Sequence, residues 1–75
     1  MILVKFEVYK DENYWCARDL GESIFTQGKT LDELVENMKE ACELHFEEQI
    51  GNGEEIRILS ISDIEVIKSA KVACS

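Results

Sequence analysis

Cys42 and His45 are the residues of this sequence whose types and spacing come closest to a chemical site. They lie three residues apart in a segment predicted to be helical, where such residues are neighbours. Together they could hold zinc, with Cys16 as a third ligand, or act as a nucleophile and its base. No paired C-x-x-C or H-x-x-x-H spacing accompanies them, and their predicted helix face is apolar. We therefore predict buried packing for them, and no metal, no cofactor and no catalytic residue.

Acidic side chains dominate the charge of the chain, with 16 acidic and 8 basic residues and a formal net charge of -8. This excess repels phosphate and so disfavours direct binding of nucleic acid. Asp19 is the one acid predicted on a loop beside a sheet, and a single carboxylate does not make an acid/base pair. The remaining acids predict either a surface that keeps the domain soluble or a docking surface for a basic protein.

Tyr14 and Trp15 are adjacent in a predicted strand, so their side chains point to opposite faces of the sheet. One of them must therefore lie on the face that no helix covers, where an aromatic ring can anchor a partner. A cross-strand aromatic pair with Phe25 or Tyr9 is the alternative. The residues that we predict to bind a partner are Tyr14, Trp15, Asp19 and Phe25.

The length of 75 residues predicts one domain near the lower limit for a self-sufficient core, which indicates that self-association, as a homodimer or homotetramer, contributes stability. The three cysteines have an odd count and no paired spacing, which is not typical of a disulfide scaffold. The chain opens on a strand-like pattern rather than a signal segment, and no apolar run is long enough to cross a membrane. These features predict a cytoplasmic protein.

Hydrophobic periodicity predicts an α+β fold with a three- to four-stranded, antiparallel-type sheet and one long helix packed on one face. The predicted order is β-β-β-α-β, and its elements are Ile2–Lys10, Tyr14–Arg18, Ser23–Gln27, Leu31–Ile50 and Ile56–Ile61. The domain is predicted to span residues 1–62. Residues 63–75 are predicted to form a tail or a short extra element.

The helix is predicted to begin with a capping box formed by Thr30 and Glu33. In such a box the Thr30 hydroxyl accepts from the Glu33 amide, and the Glu33 carboxylate accepts from the Thr30 amide. Apolar or weakly polar residues recur with 3–4 spacing on one face of the helix. They are Leu31, Leu34, Val35, Met38, Ala41, Cys42 and His45.

Four stretches of the chain together resemble the HicB-like antitoxin family, as a small single-domain member of the UPF0150 type. The stretches read YWCA at 14–17, IFTQGKTLDEL at 24–34, NMKEA at 37–41 and ELHF at 43–46. The resemblance extends from about Leu3 to Glu48. Its most specific part is Thr26–Glu33, where a strand end, a glycine and a capping box follow one another in fixed order.

The resemblance implies a partial ribonuclease-H-like fold without catalytic activity, and a protein that neutralises HicA, a small basic toxin that cuts messenger RNA. Two departures qualify it. The connection Asp19–Ser23 lacks the proline that many relatives carry, and residues 56–75 leave no room for a DNA-binding module after the fourth strand. The expected function is therefore toxin neutralisation by occlusion, without DNA binding. A stand-alone homo-oligomeric interaction module with no toxin partner is the alternative.

Overall fold

Four strands and two helices make up the part of the chain that the computed structural model describes, which is residues 1–21, 24–64 and 66. The elements are β1 (Ile2–Asp11), β2 (Tyr14–Asp19), β3 (Phe25–Gly28), α1 (Leu31–His45), α2 (Glu47–Gly51) and β4 (Ile56–Ser62). The fold is α+β, as the periodicity predicts. Of the predicted third strand, Ser23 lies outside the described residues.

The sheet has the strand order β3-β2-β1-β4 and is mixed rather than antiparallel. The hairpins β1–β2 and β2–β3 are antiparallel, but β4 runs parallel to β1, with Ile2 opposite Ile56 and Val8 opposite Ser62. The antiparallel-type prediction is therefore wrong for the last strand. The reason is the helical crossover: it carries the chain from one edge of the sheet to the other, and such a connection joins strands of the same direction.

One face of the sheet forms the core with α1. Val4, Phe6 and Val8 alternate along β1 and are buried, with Phe6 fully inaccessible to solvent. From the helix side, Leu34 and Met38 are equally buried. The cluster is completed by Ala17, Ile24, Cys42 and Phe46. Burial of this one layer is what holds the helix to the sheet.

The helix packs through a narrower stripe than the spacing predicts. Of the seven residues predicted on its apolar face, only three are buried: Leu34, Met38 and Cys42. Leu31 and Val35 remain 48% and 42% exposed, and His45 is exposed. The reason is that α1 packs mainly against β3 and β2, so only the central row of its apolar face meets the sheet.

Thr30 begins α1 as its N-cap, and its hydroxyl accepts from the Glu33 amide at 3.0 Å. The Glu33 carboxylate does reach back, but it accepts from the Lys29 amide at 2.7 Å rather than from that of Thr30. The capping box is thus displaced by one residue. It still satisfies two backbone donors that the helix itself leaves unpaired.

The predicted helix Leu31–Ile50 is interrupted at Phe46, where the backbone adopts φ -110° and ψ 33°. The hydrogen bonds nevertheless continue across the break: the Phe46 amide donates to the Cys42 carbonyl, and the Phe46 carbonyl accepts from Ile50, both at 2.9 Å. The Phe46 ring is 8% exposed and packs in the core. The single long helix is therefore two helices.

Gly28 lets the third strand and the helix approach closely. A Cβ atom on Gly28 would lie 2.8 Å from the backbone nitrogen of Leu34, a distance that no packed carbon can occupy. Its role is this close contact, since its φ does not lie in the left-handed region. Gly53 does adopt φ 90°, two residues after α2 ends, and glycine takes this left-handed conformation without steric cost.

Beyond β4, the described residues continue without regular structure. Of the tail or short extra element predicted for residues 63–75, the structure describes Asp63, Ile64 and Val66, and none of these is in a strand or helix. Ile64 and Val66 are exposed, and the Asp63 amide donates to the Val8 carbonyl at 2.8 Å. The other residues of this segment fall outside the described part of the chain. Within the described part, no helix combines the length and the apolar character needed to cross a bilayer.

Candidate protein-binding surface

The sheet face turned away from α1 presents large apolar side chains to solvent. Phe25 on β3 is 56% exposed, Leu3 on β1 is 47% exposed, and both Leu59 and Ile61 on β4 are 45% exposed. Strand register places them on one side, because Leu3, Leu59 and Ile61 alternate with residues that face the core. We call this surface the open face, and its members are Leu3, Lys5, Glu7, Tyr9, Asp11, Tyr14, Cys16, Arg18, Phe25, Gln27, Arg57, Leu59 and Ile61.

A charge pair lies in the middle of the open face. The Arg18 Nη2 and Nε atoms donate to the Glu7 Oε1 atom at 2.7 and 3.2 Å, across the β1–β2 pair. This hydrogen bond, with the Glu7 charge, raises the pKa of the Arg18 guanidinium further above its usual range. The guanidinium also lies 5.9 Å from the centre of the Tyr9 ring. Because the two charges of this pair cancel, no net charge from the pair lies between the apolar side chains on either side of it.

The four residues predicted to bind a partner are divided between the two sides of the sheet. Tyr14 and Phe25 lie on the open face, and Tyr14 is 38% exposed. Trp15 lies on the helix side, half-buried at the edge of the core, with the Lys10 ammonium 5.2 Å from its ring centre. Register sets Phe25 opposite Arg18, and the described residues contain no ring pair of Tyr14 or Trp15 with Phe25 or Tyr9.

Asp19, the fourth predicted residue, ends β2 on the helix side, opposite Phe6. Its Oδ1 atom accepts from the Gly21 amide at 3.1 Å. Its Oδ2 atom is buried, and none of the described residues forms a hydrogen bond with it. A cavity of about 400 Å³ adjoins it, with apolar side chains that include Leu20 and Phe46. An unsatisfied buried carboxylate oxygen is rare in a folded protein, so this cavity is a candidate binding site for a hydrogen-bond donor.

A comparison with known proteins identifies a relative with a similar sequence. A UPF0150 protein of Archaeoglobus fulgidus is 51% identical over 45 residues, which cover 60% of this chain and 68% of that protein. The chain belongs to the UPF0150 family. No family model matches the sequence, and no solved structure matches the chain.

The two cysteine thiols that the structure describes lie on opposite sides of the sheet. Cys42 faces the core from α1, whereas Cys16 pairs with Tyr9 and Gln27 on the open face. Burial, and then the charge of Asp19, raise the pKa of the Cys42 thiol; burial, and then the charge of Asp11, raise that of Cys16. Both shifts favour the unreactive protonated thiol.

The three-ligand zinc site considered for Cys16, Cys42 and His45 is not assembled. The sheet separates the two sulfur atoms, and the exposed His45 ring instead makes an edge contact with Phe46, with ring centres 4.7 Å apart. In the described ranges, no group of three or more His, Cys, Asp or Glu side chains is placed to hold a metal ion.

Acidic side chains of the UPF0150 protein concentrate on the solvent side of α1 and at the start of α2. We call this surface the outer helix face, and its members are Asp32, Glu36, Lys39, Glu40, Glu43 and Glu47, all exposed. The Lys39 ammonium lies 3.6 Å from the Glu36 carboxylate, one turn away. Five acids against one base make this surface strongly negative, in contrast to the open face.

Sequence reasoning missed the apolar residues of β1 and β4 on the open face. Leu3 and Leu59 could be recognised from the alternation, since each lies beside core-facing residues such as Val4 or Ile58. Ile61 lies between two exposed serines, so its place on the open face follows only from the strand register. The combination of register and exposure identifies these aliphatic residues as the larger part of the surface.

Proposed function

We propose that this UPF0150 protein is an antitoxin-like binding module that neutralises a small basic HicA-type toxin, which cuts messenger RNA, by covering the toxin's RNA-binding surface. The module acts in the cytoplasm and catalyses no reaction. The observation that supports binding is the open face, where Leu3, Phe25, Leu59 and Ile61 are each 45–56% exposed. Clustered apolar side chains of this kind are typical of interaction surfaces.

The composition of the open face matches the anatomy of protein interfaces. Apolar side chains of β1 and β4 lie together, and charged groups such as Lys5 and Arg57 lie among or beside them. Interfaces have an apolar centre that excludes water and a polar rim that stays wet. The Glu7–Arg18 pair is already satisfied within the chain, so a partner can cover it without leaving either charge alone.

The outer helix face supports the choice of a basic partner. Its five acids and single lysine attract a positively charged protein over a distance comparable to the Debye length. Such attraction raises the association rate more than the final affinity. In this proposal, the acidic charge raises the rate of encounter with the toxin, and the open face, on the opposite side of the domain, supplies the contact area.

The identity of the toxin and the finer fold assignment are supported by the resemblance to HicB-like antitoxins. The TQGKTLDEL stretch at 26–34 forms the strand end, close glycine contact and helix cap described above. A partial ribonuclease-H-like fold, with three strands, a helical segment and a parallel fourth strand, is part of the same proposal.

Co-expression with the product of an adjacent reading frame that encodes a basic protein of similar size tests the proposal. We expect the two chains to copurify, with a dissociation constant at or below about 1 μM, and the complex to leave messenger RNA intact. Leu59→Asp places a charge among the exposed apolar side chains of the open face, on the edge strand β4, and should abolish copurification. Glu43→Asp, a conservative change on the outer helix face, serves as the matched control and should retain it.

Failure of the parent chain to bind the basic protein at micromolar concentration contradicts the toxin proposal. Equal binding by Leu59→Asp and the parent contradicts the assignment of the open face. Retained messenger RNA cleavage in a stable complex contradicts neutralisation by occlusion, even where binding is shown.

A stand-alone homo-oligomeric module is the second candidate, and the same open face favours it, since a second copy can bury the apolar residues of β4. Native mass spectrometry distinguishes the two functions. A dimer or tetramer that the basic protein does not displace, and that Leu59→Asp converts to monomer, supports self-association. Monomeric parent protein contradicts it.

A further inference from the structure

The start of β1, at residues 2–5, pairs with β4 on one side, but the described residues provide no paired strand on its other side. We call this gap the notch. β4 pairs with β1 from Ile2 onward, but β2 pairs with β1 only from Phe6 onward. On the β2 side of Ile2–Lys5, the described chain makes one backbone hydrogen bond, from the Leu20 amide to the Lys5 carbonyl at 3.0 Å. Part of a strand edge is therefore available inside the sheet, beside the cavity of about 400 Å³.

The peptide groups of Leu3 point into this notch. The Ile2 amide donates to the Glu55 carbonyl at 2.8 Å, which shows that Ile2 points toward the β4 side. Successive residues of a strand present their peptide groups to opposite sides, so those of Leu3 face away from β4. The Lys5 carbonyl also points into the notch, in agreement with its bond to Leu20. An extended segment of another chain could pair with this short edge.

Asp19 lies at the wall of the same notch and carries the unused acceptor, its buried Oδ2 atom. The opposite oxygen is already occupied by the Gly21 amide, so the carboxylate is fixed in place. Leu20 and Phe46 provide apolar walls next to it. Lys5 lines the notch as well, but it forms no ion pair with Asp19 in the described chain.

We propose that the notch binds a lysine or arginine side chain presented by an extended segment of a protein partner. The cationic group donates to the Asp19 Oδ2 atom, and the aliphatic stem packs against Leu20 and Phe46. The backbone of the segment pairs with the peptide groups of Leu3. A long cationic side chain fits both halves of the site, since its stem is apolar and its head is charged. The assignment of this side chain to a basic toxin rests on the proposed function, whereas the site itself does not.

The chemistry of the notch selects a cation on a flexible stem over a bound metal ion. A divalent ion needs several oxygen ligands, and among the described residues that line the cavity Asp19 is the only one with a carboxylate. A single hydrogen bond from an ammonium or guanidinium group satisfies the one free oxygen. Binding then removes the cost of leaving that oxygen buried and unpaired.

An NMR titration with blocked amino acids tests the site without any toxin. N-acetyl-lysine methylamide should shift the backbone amide resonances of Leu3, Leu20 and Gly21, with a dissociation constant in the millimolar range typical of a single charged contact (about 1–20 mM). N-acetyl-norleucine methylamide has the same stem without the ammonium group and should shift them far less. Comparable shifts with both compounds overturn the role of the carboxylate.

Three variants sharpen the titration. Asp19→Asn keeps an oxygen for the Gly21 amide but removes the charge, and should weaken binding of the lysine compound about tenfold. Glu48→Gln removes one exposed carboxylate of α2 that lies outside both the notch and the outer helix face, and should leave binding unchanged. Leu20→Lys, at an exposed wall of the notch, places an internal ammonium beside Asp19 and should block binding while Asp19 itself is intact.

Two results overturn the proposal: no shift of the notch amides at roughly 50 mM, well above the weak millimolar range, or equal binding by the parent and Leu20→Lys. The second result decides the matter even when Asp19→Asn fails to fold. Because no toxin is present, a negative copurification experiment leaves this test intact, and a negative titration leaves the toxin proposal standing.

Discussion

The two faces of the sheet carry similar numbers of apolar side chains, but only one of them is covered. On the helix side, Val4, Phe6 and Val8 are at most 6% exposed and pack against α1. On the open face, Leu3, Leu59 and Ile61 come from the same strands or their neighbours and remain nearly half exposed. The difference shows that hydrophobicity along a strand does not report burial, because burial depends on which face receives the helix.

This asymmetry separates what stabilises the fold from what is available for binding. Side chains in the covered layer contribute the transfer free energy of full burial, whereas those on the open face contribute only part of it. Substitutions on the two faces should therefore differ in their effect on stability. The predictions below test that difference, beginning with the largest expected effect.

Replacing Phe6 with alanine should remove about 3–5 kcal/mol from the free energy of unfolding, since it leaves a cavity at a fully buried site. Leu59→Ala, on the open face, should remove about 1 kcal/mol or less in the monomer. Urea unfolding followed by circular dichroism measures both. Equal losses at low protein concentration would contradict the contrast between the faces; a Leu59→Ala loss that grows with concentration would show that a second copy covers the open face.

Gly28→Ala tests the closest contact of the covered layer. The added Cβ atom would lie 2.8 Å from the Leu34 nitrogen, so the helix must shift, at a cost of about 1–3 kcal/mol. Gly21→Ala is the matched control, because nothing lies within 4 Å of its Cβ position, and should change the free energy of unfolding by about 0.5 kcal/mol or less. Thermal unfolding compares the two variants. A neutral Gly28→Ala would contradict the role of that contact.

Thr30→Ala should destabilise the protein by about 1 kcal/mol, since it removes the hydroxyl that accepts from the Glu33 amide at the start of α1. Thr30→Ser keeps a hydroxyl at the same position and should restore most of the loss. The midpoint of urea unfolding measures both. A serine variant as unstable as the alanine variant would show that the methyl group, not the hydroxyl, matters.

The smallest expected effect is a decrease in the free energy of unfolding at alkaline pH, and it comes from the Cys42 thiol. Its pKa is raised in the folded state by burial, and then by the charge of Asp19, above the ordinary value of 9.0. As pH rises past 9.0, the unfolded chain releases this proton first, so the unfolded state binds fewer protons and stability falls until the folded thiol also ionises. Cys42→Ala should show a shallower fall as pH rises past 9.0. Identical slopes for the variant and the parent would contradict the shift.

The strands and the helix cap could be predicted because each has a local signature. Alternation located β1 to within one residue, and Thr30 with Glu33 located the start of α1. The direction of β4 could not be predicted, because a period of two is the same in parallel and antiparallel strands. It is set by the path of the crossover over the sheet.

The candidate site was less accessible to sequence reasoning, since it depends on contacts between distant segments. Adjacent residues in a strand predict that Tyr14 and Trp15 face opposite ways, but not which of them meets the helix. No proline or glycine lies at the helix break at Phe46, so the local sequence does not predict it. The break coincides with the packing of the Phe46 ring in the core. The free oxygen of Asp19 depends on how the chain turns after β2, which no local pattern encodes.

The parallel pairing of β4 with β1 also has a consequence for synthesis of the protein on the ribosome. Ile2 pairs with Ile56, so β1, the first strand to leave the ribosome, can pair with β4 only after nearly the whole domain has been synthesised. Contacts of such long sequence separation slow folding, and an unpaired strand is prone to aggregate in the interval. The nascent chain therefore carries its β1 strand with one bare edge until β4 emerges.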